Sequence, residues 1–270
     1  MGRGIGIVAG SGRFVAGAVS ELRRSGLRCV VLGIEGTSKP GLKRAADVFF
    51  SIKPGELGRA LAFFRGQHVS EIILLGKVQP GVVFRQENFD GETWRRLQGV
   101  EERSATAVLK AVIAFLEAQG LKILSPGSFL SRFFCRPGVL TRAKPSPGIM
   151  KDIDFGLGIA RQTADLEIGQ TLIVKAGVVV AVEGMEGTDR AIQRGGRLSG
   201  PGFVAVKAGR TAQDMRLDLP AVGLDTVKTL LRAGGVALGL EAGKVALFQR
   251  EEAVSLADAH GASIVVRSVG

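Results

Sequence analysis

Histidine, cysteine and tyrosine are nearly or wholly missing from this chain of 270 residues, which has two histidines, two cysteines and no tyrosine. Neither Cys29 nor Cys135 belongs to a Cys-x-x-Cys pair or a Cys/His spacing, which argues against a zinc site and a disulfide framework. His68 and His260 each stand at the end of a predicted helix, which is a structural position. So few histidines argue against a Ser-His-Asp or Cys-His mechanism. Carboxylates, lysine, arginine or a metal ion must therefore perform any catalysis.

Long apolar runs are also missing, since no stretch approaches the ~20 apolar residues of a membrane-spanning helix. The first ten residues, MGRGIGIVAG, have too short an apolar run for a signal peptide and predict a β-strand instead. Together with the unpaired cysteines, these features predict a soluble protein of a reducing cytoplasm.

Positive charge is abundant, because 36 Lys and Arg face 25 Asp and Glu, for a net charge of +11. Such an excess suits nucleic acid, an anionic membrane surface or a polyanionic small substrate, and an arginine-rich proteome would also explain it. The basic residues are dispersed, only one tryptophan is present, and no RNA-binding or zinc-finger motif occurs. We therefore expect no nucleic-acid partner.

The first half of the chain alternates continuous Val/Ile/Leu strands with helices that end at glycine. The strand patterns are GIGIVAG, LRCVVLGI, VFFSIK, EIILLGKV and LKILS. Strands of this kind, separated by helices, are typical of a parallel sheet that is covered on both faces. We predict an α/β, Rossmann-like N-terminal domain.

A proline-rich break, CRPGVLTRAKPSP, separates the two halves and predicts a domain boundary. We assign residues 1–134 to the N-terminal domain and 135–270 to the C-terminal domain. The second half contains TLIVKAGVVVAVEG, whose two β-rich runs around Lys175-Ala176-Gly177 predict a hairpin. Further helices and strands follow, which predict a mixed α/β domain.

The turn after the first strand, AGSGRFVAG, is the candidate nucleotide site of the first half. Gly10 and Gly12 match two glycines of G-x-G-x-x-G, with Val15 in the third position and Ser11 between the first two. A plain tight turn, an anion or nucleotide-sugar contact, and NAD(P) binding all remain open there. Lys77, after the fourth strand, shares the same sheet edge and either meets a phosphate or is solvated.

Charged residues gather at strand ends in the second half. VEGMEGTDRAI follows one strand, and Lys207 ends another. Glu183 and Glu186 have no simple local role, whereas Thr188 and Asp189 could each merely cap the next helix.

The stretch QDMRLDLPAVGLDTV adds four more charges. Asp214, Arg216 and Asp218 alternate, so they share one face if the chain is extended. Asp225 follows a glycine and could cap a helix. Carboxylates that hold Mg²⁺, with cations that neutralise phosphoryl oxygens, are what a metal-dependent phosphate-ester hydrolase requires.

The motifs EIGQTL, EGTD and QDMRLDLPAVG, in this order, resemble the C-terminal domain of the LpxI-type UDP-2,3-diacylglucosamine pyrophosphatases. The N-terminal GIVAGSGRFV and the GKV element resemble the first domain of that family, so the resemblance covers almost the whole chain. It implies Mg²⁺- or Mn²⁺-dependent hydrolysis of a nucleotide-activated glycolipid, UDP-2,3-diacylglucosamine, to UMP and 2,3-diacylglucosamine 1-phosphate, a step of lipid A biosynthesis. It also implies a homodimer in the cytoplasm, peripheral at the inner membrane.

The resemblance also implies site residues. Asp225, Asp214 and Asp189 are the expected catalytic carboxylates, and Asp225 and Asp214 the expected metal ligands. Arg216 and Lys207 are expected to hold the diphosphate. The substrate-binding residues expected from the matching motifs are Glu186, Gly187, Thr188, Lys207, Gln213, Arg216 and Asp218. The N-terminal turn and the sheet edge beside it add Gly10, Ser11, Gly12 and Lys77 as expected substrate-binding residues, although many family members have Gly-Gly-Gly in that turn and an asparagine in place of Lys77.

Two other functions remain as alternatives. One is an NAD(P)- or nucleotide-binding protein that uses the N-terminal glycine turn. The other is an inactive family member that acts as a binding module, which fits the sequence Arg103-Ser104-Ala105-Thr106 at the place of the family's paired aspartates.

Overall fold

A computed structural model describes residues 4–12, 14–36, 41–76 and 105–270 of the chain. The chain divides into two compact units. The first comprises Met1–Leu130 and Asp214–Leu219, and the second comprises Ser131–Gln213 and Pro220–Gly270. The division at residues 134 and 135 stays a prediction, and no single boundary describes the return of Asp214–Leu219 to the first unit.

The first unit contains a five-stranded sheet in the order β3-β2-β1-β4-β5, and every pair in it is parallel. Its strands are β1 (Gly4–Ala9), β2 (Arg28–Ile34), β3 (Val48–Ile52), β4 (Glu71–Leu75) and β5 (Lys122–Ile123). Its described helices are α1 (Phe14–Arg24), α2 (Gly41–Ala45), α3 (Leu57–Gly66), α4 (Ala105–Ala118) and α5 (Gly127–Leu130). The predicted parallel α/β domain is confirmed. The strand order reverses between β1 and β4, which is where open α/β sheets bind ligands.

The segment Asp214–Leu219, which we call the crossing segment, packs within the first unit. Leu217 contacts an apolar cluster of that unit, together with Val112 and Phe115 of α4. Arg216 forms an ion pair of 3.5 Å with Glu117, also on α4. The chain on either side belongs to the second unit.

The extended conformation expected for the crossing segment is wrong. The backbone N–H of Arg216 donates to Asp214 Oδ1 at 2.9 Å, and the N–H of Leu217 donates to the Asp214 carbonyl at 3.0 Å. Aspartate side chains favour such turns because they replace a backbone acceptor. The alternating charges therefore lie around a turn and do not share the face of a strand.

The second unit contains a six-stranded mixed sheet in the order β6-β13-β11-β9-β7-β8, and β10 pairs with β12 separately. The strands are β6 (Gly138–Val139), β7 (Thr171–Lys175), β8 (Val178–Val182), β9 (Phe203–Lys207), β10 (Ala221–Val222), β11 (Gly235–Glu241), β12 (Ala246–Leu247) and β13 (Ser263–Arg267). The helices are α6 (Pro147–Asp165), α7 (Thr188–Ser199), α8 (Leu224–Arg232) and α9 (Arg250–Ala259), and a 3₁₀ turn spans Ser131–Phe133. The predicted mixed α/β architecture is confirmed.

The expected hairpin joins β7 and β8 in antiparallel pairing. Its turn residues Ala176 and Gly177 have positive φ angles of 51° and 77°, as a two-residue hairpin turn requires. The buried carboxylate of Asp152 accepts both turn N–H groups, at 2.8 Å and 2.7 Å. Asp152 therefore stabilises the hairpin from α6.

Strand β9 lies inside the sheet and is buried on both faces. Val204 and Val206 pack with α6, whereas Phe203 and Ala205 belong to the cluster that includes residues of α7 and α8. Because side chains alternate along a strand, Lys207 points to the same face as Phe203 and Ala205. This register directs the lysine toward the start of α7.

No helix in the described ranges is long and apolar enough to cross a membrane.

Candidate functional site

The buried ammonium group of Lys207 is the centre of a polar cluster in the second unit. Only 2% of its side chain is exposed, and 1% of that of Glu183. Lys207 Nζ donates to Thr171 Oγ1 at 3.0 Å and to Thr188 Oγ1 at 2.9 Å, and it lies 3.3 Å from Glu183 Oε2. Three acceptors thus match the three N–H groups of an ammonium ion. For Lys207 to contact a diphosphate directly, a phosphate oxygen would have to replace one of these three acceptors.

The Thr188 hydroxyl has a defined direction in this cluster. It accepts from Lys207 and donates to Glu183 Oε1 at 3.1 Å. The N-cap position of α7 belongs to Gly187, with a φ of 84°. Neither Thr188 nor Asp189 therefore occupies the cap, and Asp189 stands in the first turn, where the helix dipole favours a negative charge. The EGTD turn is thus attached to the sheet through Thr188.

Glu186 stabilises the same turn from its other side. Its carboxylate accepts from Arg194 at 2.5 Å and from the Gly184 N–H at 3.1 Å. The hydrogen bond from Arg194 is the main cause that lowers the pKa of Glu186 below its ordinary value. Arg194 also donates to the Val182 carbonyl at 2.7 Å. The substrate-binding role of Glu186 stays a prediction.

Sequence reasoning did not find Thr171. This residue lies opposite Lys207 in the β7–β9 pair, and its carbonyl accepts the Glu183 N–H at 2.8 Å. Gly169, two positions earlier, explains the glycine of the IGQ motif, since a Cβ there would lie 1.9 Å from the Glu183 carbonyl oxygen. The glycine therefore lets β7 approach Glu183 closely.

Asp225 lies in the first turn of α8, and Gly223 occupies the N-cap. Asp225 is therefore not the N-cap residue. Its carboxylate is 36% exposed and lies 3.7 Å from Lys228 Nζ. A carboxylate at a helix start that is about one-third exposed can still reach solvent to hold a cation or orient a water molecule.

Asp214 and Arg216 form a close pair in the crossing segment. Arg216 Nε and Nη2 donate to the two carboxylate oxygens of Asp214 at 3.1 Å and 2.9 Å. This hydrogen bonding holds the pKa of Asp214 below its ordinary value. Asp218 lies in the same turn. Gln213 accepts the Arg210 N–H through its side chain at 2.9 Å.

The residues implied as metal ligands lie in different compact units, Asp214 in the first and Asp225 in the second. In the parts of the chain that the structure describes, no three His, Cys, Asp or Glu side chains group closely enough to hold a metal ion. Asp225 fits Mg²⁺, which takes one or two carboxylates and completes its coordination with water and substrate phosphate. Asp214 fits less well, because Arg216 engages both of its oxygens.

In the first unit, the Gly10–Gly12 turn follows β1 at the point where the strand order reverses. The Gly10 N–H donates to the Leu75 carbonyl at 2.8 Å, so this turn is attached to the end of β4. Ser11 lies in this turn, and α1 begins at Phe14. Lys77 lies outside the described residues.

Comparison with known proteins identifies the family of this chain. Sequence models of the LpxI N-terminal domain and the LpxI C-terminal domain match residues 4–133 and 136–265. The chain therefore belongs to the LpxI family. The resemblance that the EGTD and QDMRLDLP motifs indicated is confirmed.

One curated LpxI relative, from Caulobacter vibrioides, is named UDP-2,3-diacylglucosamine pyrophosphatase LpxI. It is 28% identical over 266 residues, which cover 95% of this chain and 94% of the relative. The match therefore extends through both LpxI domains.

Two solved structures share only 14% identity with this LpxI chain. A glycinamide-RNase-transformylase T from Mycobacterium tuberculosis has a TM-score of 0.23, with 67% of this chain and 44% of that one covered. The biotin carboxylase domain of a Hydrogenobacter thermophilus 2-oxoglutarate carboxylase has a TM-score of 0.28, with coverage of 74% and 41%. The chain thus spans less than half of each, and scores this low support no functional comparison.

Gly76 provides a test of the close approach in the LpxI N-terminal domain. Its φ is 88°, and a Cβ there would lie 2.5 Å from the Ser11 carbonyl oxygen. We expect Gly76→Ala to lower the free energy of unfolding by about 2 kcal/mol or more, from backbone strain plus the clash. Denaturant unfolding measures this change. Gly26→Ala is the matched control, because Gly26 has a φ of 86° and no heavy atom within 4 Å of a Cβ. Equal losses in the two variants would contradict the close approach.

Proposed function

We propose that this chain hydrolyses the pyrophosphate of UDP-2,3-diacylglucosamine, with water, to UMP and 2,3-diacylglucosamine 1-phosphate. The observation that carries the proposal is the match, over 95% of the chain, to a relative named for this pyrophosphatase activity. The two domain matches support it, because both parts of the family's sequence are present in order. The alternatives of NAD(P) binding and of an inactive binding module are not favoured by these matches.

We assign the principal catalytic role to Asp225. Its partly exposed carboxylate at the start of α8 is suited to hold Mg²⁺ or Mn²⁺ and to orient the attacking water or accept its proton. The bound cation would neutralise charge on the phosphoryl oxygens and polarise the bond under attack. Asp189, in the first turn of α7, is the second carboxylate of the proposal.

The contacts of the remaining polar residues suggest separate roles in substrate binding and in positioning. We propose that Arg216 binds the diphosphate as a planar donor, and that Asp214 orients it through their bidentate pair. The internal contacts of Lys207 favour a positioning role, in which its positive charge acts on the EGTD turn through Thr188. The Gly10–Gly12 turn is proposed to meet the nucleotide part through its N–H groups.

Chelation tests the metal dependence of this proposal. Purified protein should release UMP from UDP-2,3-diacylglucosamine in the presence of Mg²⁺, lose that activity with excess EDTA, and regain it when Mg²⁺ or Mn²⁺ is restored. The control adds EDTA that has already been saturated with Mg²⁺. It should leave the activity unchanged, because it cannot remove metal from the protein. Full activity in excess EDTA would refute the metal dependence and leave the hydrolysis itself standing.

The proposed substrate carries two acyl chains, so we propose that this protein acts at the inner surface of the cytoplasmic membrane. We also propose that it acts there as a homodimer. The net charge of +11 supports the membrane part, because an anionic surface attracts basic protein at a range set by salt. We expect co-sedimentation with anionic phosphatidylglycerol vesicles at low salt, release at high salt, and no binding to neutral phosphatidylcholine vesicles. Absence of binding at low salt would refute this proposal.

A further inference from the structure

The segment Lys244–Phe248, which we call the clamp, holds the chain on both sides of the crossing segment. On the departing side, Lys244 Nζ donates to the carbonyls of Arg210 and Thr211, each at 2.9 Å. The aliphatic part of Lys244 lies against Gly209, where a Cβ would come within 3.1 Å of the Lys244 Cβ. One lysine thus fixes the backbone just before the chain leaves the second unit.

On the returning side, backbone N–H groups of the same clamp donate to the chain that follows the crossing segment. The Ala246 N–H donates to the Pro220 carbonyl at 2.9 Å, and the Phe248 N–H donates to the Val222 carbonyl at 2.9 Å. These bonds form the parallel pair of β10 and β12. Val222 stands three residues before Asp225, so the clamp also fixes the start of α8.

The departing loop is attached through its N–H groups as well. The Gly209 N–H donates to the buried Glu241 carboxylate at 3.0 Å, and Glu241 is paired with Arg161. Asp165 accepts from the Thr211 N–H and hydroxyl, each at 2.7 Å. Lys244 differs from these carboxylates in two ways. It donates to backbone carbonyl groups, and it belongs to the clamp, which also hydrogen-bonds the chain after the crossing segment, at Pro220 and Val222.

We infer that Lys244 is a positioning residue for the reaction, an inference that rests on the proposed function. The departing backbone leads within a few residues to Arg216, and the returning backbone leads to Asp225. Because one segment holds both, it fixes the origin of the arginine-bearing turn and the origin of the aspartate-bearing helix together. Transition-state stabilisation depends on such placement, and a displacement of about 1 Å can reduce a rate by about 100-fold.

Lys175 offers a matched control for Lys244. Its Nζ also donates to two backbone carbonyls, those of Ser199 and Pro201, at 2.7 Å and 2.8 Å. Those carbonyls lie at the end of α7 and in the loop before β9, away from the crossing segment in sequence. Substitution of either lysine by methionine removes two comparable hydrogen bonds and one charge.

The test compares Lys244→Met, Lys175→Met and Lys244→Arg in the full-length chain. Steady-state kinetics with UDP-2,3-diacylglucosamine would give kcat and KM, and hydrogen exchange would report on the amides of Arg216, Leu217 and Asp218. We expect Lys244→Met to lower kcat by about 10- to 100-fold, to raise KM because the turn that carries Arg216 is displaced, and to speed exchange of those amides. Lys244→Arg, which can still donate to both carbonyls, should restore most of kcat, and Lys175→Met should change kcat less than about twofold.

Equal effects of Lys244→Met and Lys175→Met on kcat and on exchange would overturn the inference, since Lys244 would then contribute stability alone. If Lys244→Met does not fold, Lys244→Gln takes its place, because the glutamine amide removes the charge but keeps an NH2 group with two N–H donors. If the wild-type chain releases no UMP, the proposed function fails separately. The exchange comparison still decides whether Lys244 controls the crossing segment.

Discussion

Asp225→Asn is expected to reduce kcat for UMP release by about 1,000-fold, as is typical when a general base is lost. The amide has almost the same shape as the carboxylate but cannot accept a proton from water and is a poor ligand for Mg²⁺. KM should change little, because the substrate contacts assigned to Arg216 and the Gly10–Gly12 turn remain. Steady-state kinetics at saturating Mg²⁺ measures both constants.

Asp154→Asn is the control for this variant. Asp154 is 44% exposed and paired with Arg267, so its surroundings are comparable to those of Asp225, which is 36% exposed and near Lys228. The control should retain wild-type kcat. Loss of the helix-start charge at Asp225 should lower the free energy of unfolding by no more than about 1 kcal/mol. Asp225→Asn with wild-type kcat would remove this residue from the catalytic step.

Lys207→Met is expected to give the largest loss of stability, about 3–5 kcal/mol in the free energy of unfolding, because it leaves a buried partner charge without compensation. Glu183 is 1% exposed, and its carboxylate lies 3.3 Å from the ammonium that this substitution removes. Thr171 and Thr188 lose their donor in the same change. Denaturant unfolding monitored by circular dichroism measures the loss.

A second substitution separates lost pairing from lost packing. Lys207→Met with Glu183→Gln removes both charges, and we expect it to recover more than half of the stability lost by Lys207→Met alone. Arg267→Met, which breaks a pair whose side chains are 47% and 44% exposed, should cost less than about 1 kcal/mol. If Lys207→Met is as stable as Arg267→Met, the buried cluster does not hold the second unit together.

Much of the fold follows from local patterns in the chain. The continuous apolar strands and the glycines that end the helices predicted the parallel sheet, because both signals are local in sequence. The hairpin at Ala176-Gly177 was predictable for the same reason, since its turn needs residues that accept positive φ.

The crossing segment was not predictable from its own residues. Alternating charges indicate a strand only if a neighbouring strand pairs with them, and here the Asp214 side chain supplies the acceptor for the Arg216 N–H. Leu217 is partly buried and packs against a cluster that includes residues of α4, about a hundred residues earlier in the chain, and no local pattern encodes such a contact.

The candidate site also has some residues that local sequence predicts and some contacts that it does not. The stretches EGTD and QDMRLDLPAVGLDTV pointed to Thr188, Asp189 and Asp225 because short polar runs at strand ends are visible in the sequence. The contacts of Lys207 were not visible, since Thr171 faces it only through the antiparallel register of β7 and β9. That register depends on the whole sheet.

The identity of the products tests the account most directly. Wild-type protein incubated with UDP-2,3-diacylglucosamine and Mg²⁺ should yield UMP and 2,3-diacylglucosamine 1-phosphate in equal amounts, as measured by liquid chromatography and mass spectrometry. The Asp225→Asn protein, handled in parallel, should form these products about 1,000-fold more slowly. Release of UDP with an unphosphorylated diacylglucosamine, or an unchanged substrate with the folded wild-type protein, would contradict the assignment of this chain as a pyrophosphatase.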